Sequence, residues 1–232
     1  MAVADEPDEP DDRPLPFDLI GTMAIQEAEV APGLRHVEIY ARGGLLTLLW
    51  HGDPTARHVV VMGGGAMGGM LGPADGLYHD LGVELAERGM GAIRVGWRQP
   101  NELGECVLDM AAAADLASRG GAEAFVTAGH SFGGAVAVGT AISLPSSVAG
   151  VVTFATQSAG CENAAMLAGR PLLLFHGDRD TLLPPMCSEV VRELAGGGDL
   201  VVIPGAGHLL SEGRDLMWNR LLDWLPAVFG AT

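Results

Sequence analysis

The chain has 232 residues, of which 48% are hydrophobic and 18% are charged, and its formal net charge is −16 at pH 7. This size and composition are typical of one compact domain with a full hydrophobic core. The strong negative charge argues against nucleic acid or an anionic membrane surface as a partner. All 13 basic residues are arginine, which excludes chemistry that needs a lysine Schiff base or a P-loop lysine.

The beginning of the chain is acidic and rich in proline. The first 14 residues contain six acidic residues and one arginine, and such a segment cannot bury enough apolar surface to fold. We therefore predict an acidic disordered tail over residues 1–16 and a single domain over residues 17–232. The segment has neither the basic flank nor the apolar core of an export signal, so we expect a cytoplasmic protein.

Cysteine usage and hydropathy agree with that compartment. Three widely spaced cysteines, an odd number, predict reduced thiols rather than a disulfide framework; they are Cys106, Cys161 and Cys187. No apolar run is long enough to span a membrane. We therefore expect no membrane contact.

Strand-like and helix-like segments alternate along the rest of the chain. Strands are predicted at 35–40 and 45–50 as an antiparallel pair, and then at 58–63, 92–98, 124–130, 149–155, 171–176 and 199–203. Helices are predicted at 76–90, 103–119, 132–144, 185–196 and 213–228. This alternation predicts an α/β fold with a mostly parallel central sheet of about eight strands and helices on both faces. The interval from 155 to 170 is too short for a helical lid, so the predicted site is open or covered only by loops.

The glycine-rich loop after the strand at 58–63 has two interpretations. Its spacing Gly63-x-Gly65-x-x-Gly68 matches the fingerprint of a dinucleotide-binding loop. Against this, no helix begins at the third glycine, and the strand at 92–98 does not end in the acid that would hold a ribose. The alternative is that the glycines bring backbone N–H groups close to a ligand.

A serine lies at the apex of a predicted strand–turn–helix. The strand at 124–130 leads into Gly129-His130-Ser131-Phe132-Gly133, and a helix of small residues follows at 132–144. The pattern Gly-x-Ser-x-Gly in this setting is typical of the nucleophile elbow of serine hydrolases. The alternative is an ordinary glycine-rich turn, so the interpretation of Ser131 depends on whether an acid and a base follow it.

An acid and a base follow the serine in the order that such a site requires. Asp178 and Asp180 come after the strand at 171–176, and His208 comes after the strand at 199–203. These loops share the carboxyl edge of the parallel sheet, where ligands bind. We favour Asp180 over Asp178 because it lies further out on its loop, within reach of His208. A dinucleotide site would leave these side chains unexplained.

The remaining histidines have other interpretations. His130 is next to the serine but points away from its hydroxyl, and His176 is at a strand end, so we expect both to pack in the interior. Four more have no carboxylate or cysteine companion at metal-ligand spacing; they are His36, His51, His58 and His79. We therefore predict no metal and no cofactor.

From about residue 35 to residue 228, the chain resembles the α/β-hydrolase superfamily and is most similar to its small, lidless, dienelactone-hydrolase-like members. Three segments carry the resemblance: His130-Ser131-Phe132-Gly133-Gly134, His176-Gly177-Asp178-Arg179-Asp180 and Pro204-Gly205-Ala206-Gly207-His208. The resemblance implies that Ser131 is the nucleophile, Asp180 the acid and His208 the base. Dienelactone hydrolases have cysteine at the elbow, so the serine of this chain favours ordinary ester chemistry.

The predicted reaction is hydrolysis of a small-molecule carboxylic ester through an acyl-enzyme. We expect the N–H group of Phe132 to hold the oxyanion together with that of Gly64 or Gly65. Met67 and Arg98 are candidates for a substrate pocket, with an ordinary ion pair as the alternative for the arginine. Two other functions remain open: a thioesterase or acyltransferase with the same residues, and a hydrolase fold that only binds a ligand or a partner.

Overall fold

The computed structural model describes residues 14–230, which form nine β-strands and six α-helices. The strands are β1 (Thr22–Ala31), β2 (Leu34–Ala41), β3 (Gly44–His51), β4 (His58–Gly63), β5 (Gly91–Gly96), β6 (Ala124–His130), β7 (Val148–Phe154), β8 (Leu172–Gly177) and β9 (Asp199–Ile203). The helices are α1 (Pro16–Leu19), α2 (Pro73–Glu87), α3 (Leu103–Gly120), α4 (Phe132–Ser143), α5 (Met186–Leu194) and α6 (Arg214–Val228). The predicted tail lies outside the described residues except for 14–16, and Pro16 already begins α1.

The strands form one sheet in the order β1-β2-β3-β5-β4-β6-β7-β8-β9. The pairs from β1 to β5 are antiparallel, and the pairs from β5 to β9 are parallel. The chain winds outward in opposite directions from the neighbouring strands β4 and β6. The loops that follow these two strands therefore separate at a topological switch point, which is where open α/β sheets bind ligands.

Helices cover both faces of the sheet. The buried residues of α3 and α4 form one apolar core with the first face, and those of α2 and α6 form a second core with the other face. Because both faces are covered, a central strand such as β8 is buried along its whole length. On the α2–α6 side, Phe154 of β7 stacks on Phe175 of β8 with 5.5 Å between ring centroids. This packing fixes the ends of the strands that carry the candidate site.

The fold class predicted from the sequence is confirmed, and the strands predicted from residue 58 onward begin and end within two residues of the observed ones. Strand β1 was not predicted. It pairs only with β2 at the edge of the sheet, and all of its residues but the first are exposed. An edge strand with solvent on both faces has no alternation of apolar and polar residues, so its sequence carries no strand signal.

Helix α2 begins with a left-handed turn that the sequence did not predict. Ala74, Asp75 and Gly76 have φ angles of 50°, 57° and 96°, so regular helix begins only at Leu77. The Ala74 N–H donates to Leu209 O at 2.7 Å. This turn therefore joins the helix to the loop that carries His208.

The carboxyl edge of the sheet is open. Between β7 and β8, the described chain forms only the short 3-10 helix Ala164–Leu167. The candidate site is therefore bordered by loops and not covered by a helical lid. Over residues 14–230, no helix combines the length and the apolarity needed to cross a bilayer.

Candidate active site

Ser131 occupies a strained turn between β6 and α4. Its φ and ψ angles are 57° and −120°, a conformation that side chains other than glycine rarely adopt. A Cβ atom at Gly129 would overlap Gly133 O, and one at Gly133 would overlap Gly64 O. The sharp turn is therefore possible only because these two positions are glycine, and it raises the serine side chain above the edge of the sheet.

Asp180 and His208 form a hydrogen-bonded pair at the same edge. His208 Nδ1 lies 2.7 Å from Asp180 Oδ2, while Asp180 Oδ1 accepts hydrogen bonds from the N–H groups of Leu182 at 2.8 Å and Leu183 at 2.9 Å. Burial alone would raise the pKa of Asp180, but the hydrogen bonds from Leu183, His208 and Leu182 outweigh it, and the pKa is lowered. The carboxylate is therefore ionised and fixed in orientation.

Asp178 has a different position and different partners. Its Oδ1 atom accepts a hydrogen bond from Gly205 N–H at 2.6 Å. This contact joins the loop after β8 to the loop after β9. The structure therefore brings Asp180 to the imidazole of His208 and leaves Asp178 as a support between the two loops.

His130 is buried and contacts the loop that carries His208. Because a carbonyl oxygen only accepts, His130 Nε2 donates to His208 O, at 2.9 Å. The two rings are 4.9 Å apart between centroids. Burial lowers the pKa of His130 to about 4, so its ring is neutral near pH 7. Since His130 directly precedes Ser131, this bond holds the backbone of His208 against the elbow. Sequence analysis expected only interior packing of His130, because the bond depends on a tertiary contact.

His176 lies beneath the acid loop. It is fully buried, its Nε2 donates to Leu183 O at 2.9 Å, and its Nδ1 lies 2.7 Å from the Ser188 hydroxyl. Burial is the main cause of its lowered pKa. His176 therefore acts as a neutral support that fixes the loop in which Asp180 accepts its backbone hydrogen bonds.

The glycine loop after β4 lies against the elbow. A Cβ atom at Gly65 would lie 3.7 Å from Ser131 Cβ, whereas a Cβ atom at Gly64 would overlap Gly69 O. The buried Tyr78 hydroxyl donates to Gly63 O at 3.1 Å and fixes the start of the loop. Gly65 therefore borders the serine side chain directly, and the backbone of Gly64 packs against the first turn of α4 beside Phe132.

A cavity of about 190 Å³ opens beside the elbow. It is lined by loop residues and His130; the loop residues are Gly64, Gly65, Gly68, Gly69, Met70, Leu71 and Gly72. Met67, which the sequence assigned to a substrate pocket, is not part of its walls and is 96% exposed. The reason is the tight turn closed by the Gly68 N–H bond to Gly65 O at 2.9 Å, which leaves the Met67 side chain at the tip in solvent.

Arg98 is also not free to bind a substrate. Its side chain is 2% exposed and forms an ion pair with the fully buried Asp109 and another with Glu105. A third bond goes from Arg98 Nη1 to Arg42 O at 2.8 Å. The guanidinium group therefore ties the segment after β5 to α3 and to the β2–β3 turn. The structure thus shows the ion pair that was the alternative interpretation of this residue.

Apolar side chains are exposed on the segments that follow four strands of the sheet. They follow β4, β7, β8 and β9, all at the carboxyl edge of the sheet; they are Leu71, Met166, Leu182, Met186 and Leu209. Clusters of exposed apolar side chains are typical of binding surfaces. We refer to these five residues as the apolar rim. Within residues 14–230, no three His, Cys, Asp or Glu side chains are arranged to hold a metal ion.

The chain matches no family model and no curated protein in sequence. Its fold is similar to that of Est1E from Butyrivibrio proteoclasticus, with a TM-score of 0.70 and 15% identity over 84% of this chain and 99% of that chain. A dienelactone hydrolase from Anabaena variabilis gives a TM-score of 0.67 with 18% identity over 88% and 98% of the two chains. An alpha-beta serine hydrolase homologue from Coxiella burnetii gives 0.62 with 21% identity over 81% and 94%. The protein has the α/β-hydrolase fold.

Proposed function

We propose that the protein is a serine hydrolase that cleaves carboxylic esters of small molecules. The observation that carries the proposal is the 2.7 Å bond between His208 Nδ1 and Asp180 Oδ2, at the edge where Ser131 stands in a strained turn. A structural turn needs no ionised, buried acid aimed at a histidine. A nucleophilic serine needs both groups.

In the proposed reaction, Ser131 Oγ attacks the acyl carbonyl and forms the acyl–oxygen bond while His208 Nε2 accepts the hydroxyl proton. Asp180 holds the imidazole so that Nε2 faces the serine, and its negative charge stabilises the imidazolium ion. The imidazolium then protonates the departing alcohol. In the second half, His208 takes a proton from water, which attacks the acyl carbon. The bond between Ser131 Oγ and the acyl carbon then breaks, the imidazolium returns the proton to Ser131 Oγ, and the carboxylic acid leaves.

The oxyanion of each tetrahedral intermediate would accept hydrogen bonds from two backbone N–H groups. One is that of Phe132, at the first residue of α4, where the helix dipole also favours negative charge. The second comes from Gly64 or Gly65. Gly65 is favoured because a Cβ atom at this position would lie next to Ser131 Cβ, whereas one at Gly64 would point at Gly69 O.

The size of the cavity beside the elbow suggests the class of ester. Its volume of about 190 Å³ is below the range of roughly 300–1,000 Å³ that is typical of pockets for drug-sized ligands. A short acyl group fits such a space, and the apolar rim can contact a larger apolar alcohol. We therefore propose esters of short acids with apolar alcohols.

Steady-state hydrolysis of p-nitrophenyl acetate tests the proposal. We expect Ser131→Ala to lower kcat by about 10³-fold or more. The matched control is Ser118→Ala, because Ser118 is exposed on α3, away from the elbow, and its removal should change neither kcat nor KM. A folded parent protein with no turnover would support a fold that only binds a ligand. Equal turnover in the parent and Ser131→Ala would contradict the role of Ser131 as the nucleophile.

A second assay separates the ester hydrolase from its chemical alternatives. Thioesterases and acyltransferases form the same acyl-enzyme, so only the choice of substrate and acceptor distinguishes them. We expect kcat/KM to be higher for p-nitrophenyl acetate than for acetyl-CoA, and we expect water to remain the main acceptor when an alcohol is added. The reverse result in either comparison would assign the triad to thioester cleavage or to acyl transfer.

A further inference from the structure

Arg94 is a buried cation without an acidic partner. It lies on β5, is 4% exposed, and faces α2. Its guanidinium group contacts His51 Nε2 at 3.0 Å, His79 Nδ1 at 3.4 Å and Met70 O at 3.2 Å. Among the described residues, no carboxylate lies within ion-pair distance of Arg94. Burying a charge without a counter-ion lowers the stability of the folded protein. Packing alone therefore does not account for an arginine at this position.

The arginine fixes the proton positions of its two histidine partners. A guanidinium group only donates hydrogen bonds, so His51 Nε2 and His79 Nδ1 must act as acceptors. The proton of neutral His51 is therefore on Nδ1, and that of neutral His79 is on Nε2. Burial, followed by the charge of Arg94, lowers the pKa of His51 to about 4. The pair thus offers two N–H donors that are polarised by one positive charge.

Both histidines line a cavity of about 760 Å³ that is separate from the elbow. His51 pairs with Ala92, near the start of β5, whereas the elbow lies beyond the carboxyl end of β6. The walls are mainly apolar and include Leu34 of β2 together with Val83 and Ala86 of α2. The volume falls within the range of roughly 300–1,000 Å³ that small-molecule sites occupy.

We propose that this cavity binds a monocarboxylate with an apolar body, such as a medium-chain fatty acid, as a ligand site distinct from the elbow. The carboxylate accepts hydrogen bonds from His51 Nδ1–H and His79 Nε2–H. Its negative charge also provides the counter-ion that Arg94 does not find among the described residues. The apolar walls take the chain. Asp53 and Glu87 also border the cavity, and their charges repel ligands with two or more negative charges, such as phosphate esters.

Titration calorimetry with octanoate tests the site, with octanamide as its neutral counterpart. We expect octanoate to bind saturably and octanamide to bind at least about 10-fold more weakly, because charge-assisted hydrogen bonds are lost. Val83→Asp places a third negative charge on the wall and should weaken octanoate binding at least 10-fold. Leu216→Asp is the matched control, because Leu216 and Val83 are each 43% exposed on a helix, and it should leave binding unchanged.

A second readout locates the ligand. In protein with ¹⁵N-labelled histidine, octanoate should shift the ring signals of His51 and His79 but not those of His208. His79→Ala, at an exposed position on α2, should weaken binding about 3- to 10-fold without affecting the fold. The proposal is overturned if the parent does not bind octanoate, if Val83→Asp binds it as tightly as the parent, or if only the His208 signals move. These readouts do not depend on turnover, so they are independent of the proposed hydrolase activity.

Discussion

Two aspartates on one loop, only two positions apart, have different roles at the candidate site because their contacts differ. Asp180 faces His208 Nδ1 and is held by two backbone N–H groups. Asp178 accepts a bond from Gly205 N–H and joins two loops. Sequence reasoning favoured Asp180 on reach alone, and the catalytic role of the pair stays a prediction that mutation can test.

Replacing each aspartate by asparagine should separate the two roles. Asp180→Asn removes the charge that stabilises the imidazolium ion and permits the wrong imidazole tautomer, so we expect kcat to fall about 10⁴-fold with little loss of stability. Asp178→Asn keeps an acceptor for Gly205 N–H and should lower kcat less than about 3-fold. The measurement is ester hydrolysis together with thermal unfolding of both variants. Equal losses of kcat in the two variants would contradict this division.

Two residues in the same region also show that the direction of a loop side chain is not predicted by the sequence. Arg98 and Met67 were both placed near the site by their positions after strands. The first is buried in ion pairs with Glu105 and Asp109 on α3, and the second lies at a turn tip in solvent. Which way a loop side chain points depends on tertiary partners and turn geometry, and a single sequence specifies neither.

At the scale of elements, the strand–turn–helix around Ser131 depends on close backbone contacts. Gly129 of β6 faces Gly133 of α4, and Gly134 lies against the Thr156 side chain. These contacts let α4 begin directly at the elbow, so that its first N–H groups face the site. The elements themselves were predictable because short apolar runs that alternate with longer helix-like segments and are bounded by glycine-rich turns are typical of buried parallel strands and their crossover helices. Strand β1 was not, because it is exposed on both faces.

A pair of glycine substitutions tests the close packing of the elbow. Gly129→Ala should destabilise the protein by about 3 kcal/mol or more, because its Cβ overlaps the Gly133 carbonyl group and the backbone must move. Gly104→Ala, in α3 with open space around its Cβ position, should instead stabilise it by about 0.5–1 kcal/mol. Urea unfolding measures both. A Gly129→Ala variant as stable as the parent would contradict the described geometry.

At the scale of the whole molecule, several buried histidines are neutral in a strongly acidic protein. Burial lowers the pKa of His51 and of His130 to about 4, whereas an unfolded chain binds the same protons near pH 6.5. The unfolded state therefore binds more protons between these values, and the free energy of unfolding falls as the pH falls through this window. Most surface carboxylates titrate below pH 5 and contribute little there.

This linkage predicts a loss of stability on mild acidification. Between pH 7 and pH 5, we expect the free energy of unfolding to fall by about 1–2 kcal/mol for each of the two histidines. His51→Gln keeps an acceptor for Arg94 and removes one titrating group, so its slope should be shallower than that of the parent. Urea unfolding at pH 7, 6 and 5 measures both proteins. A parent whose stability is constant or rises toward pH 5 would contradict the assignment of neutral histidines.

If Ser131 is an activated nucleophile, it should be labelled covalently by a serine-reactive probe. The native protein should react with a fluorophosphonate probe at one site per chain, detected by intact mass and located on Ser131 by peptide mapping. Ser131→Ala should not react, and Asp180→Asn should react far more slowly than the parent. Absence of labelling in the folded parent, or equal labelling of Ser131→Ala, would show that Ser131 is not an activated nucleophile.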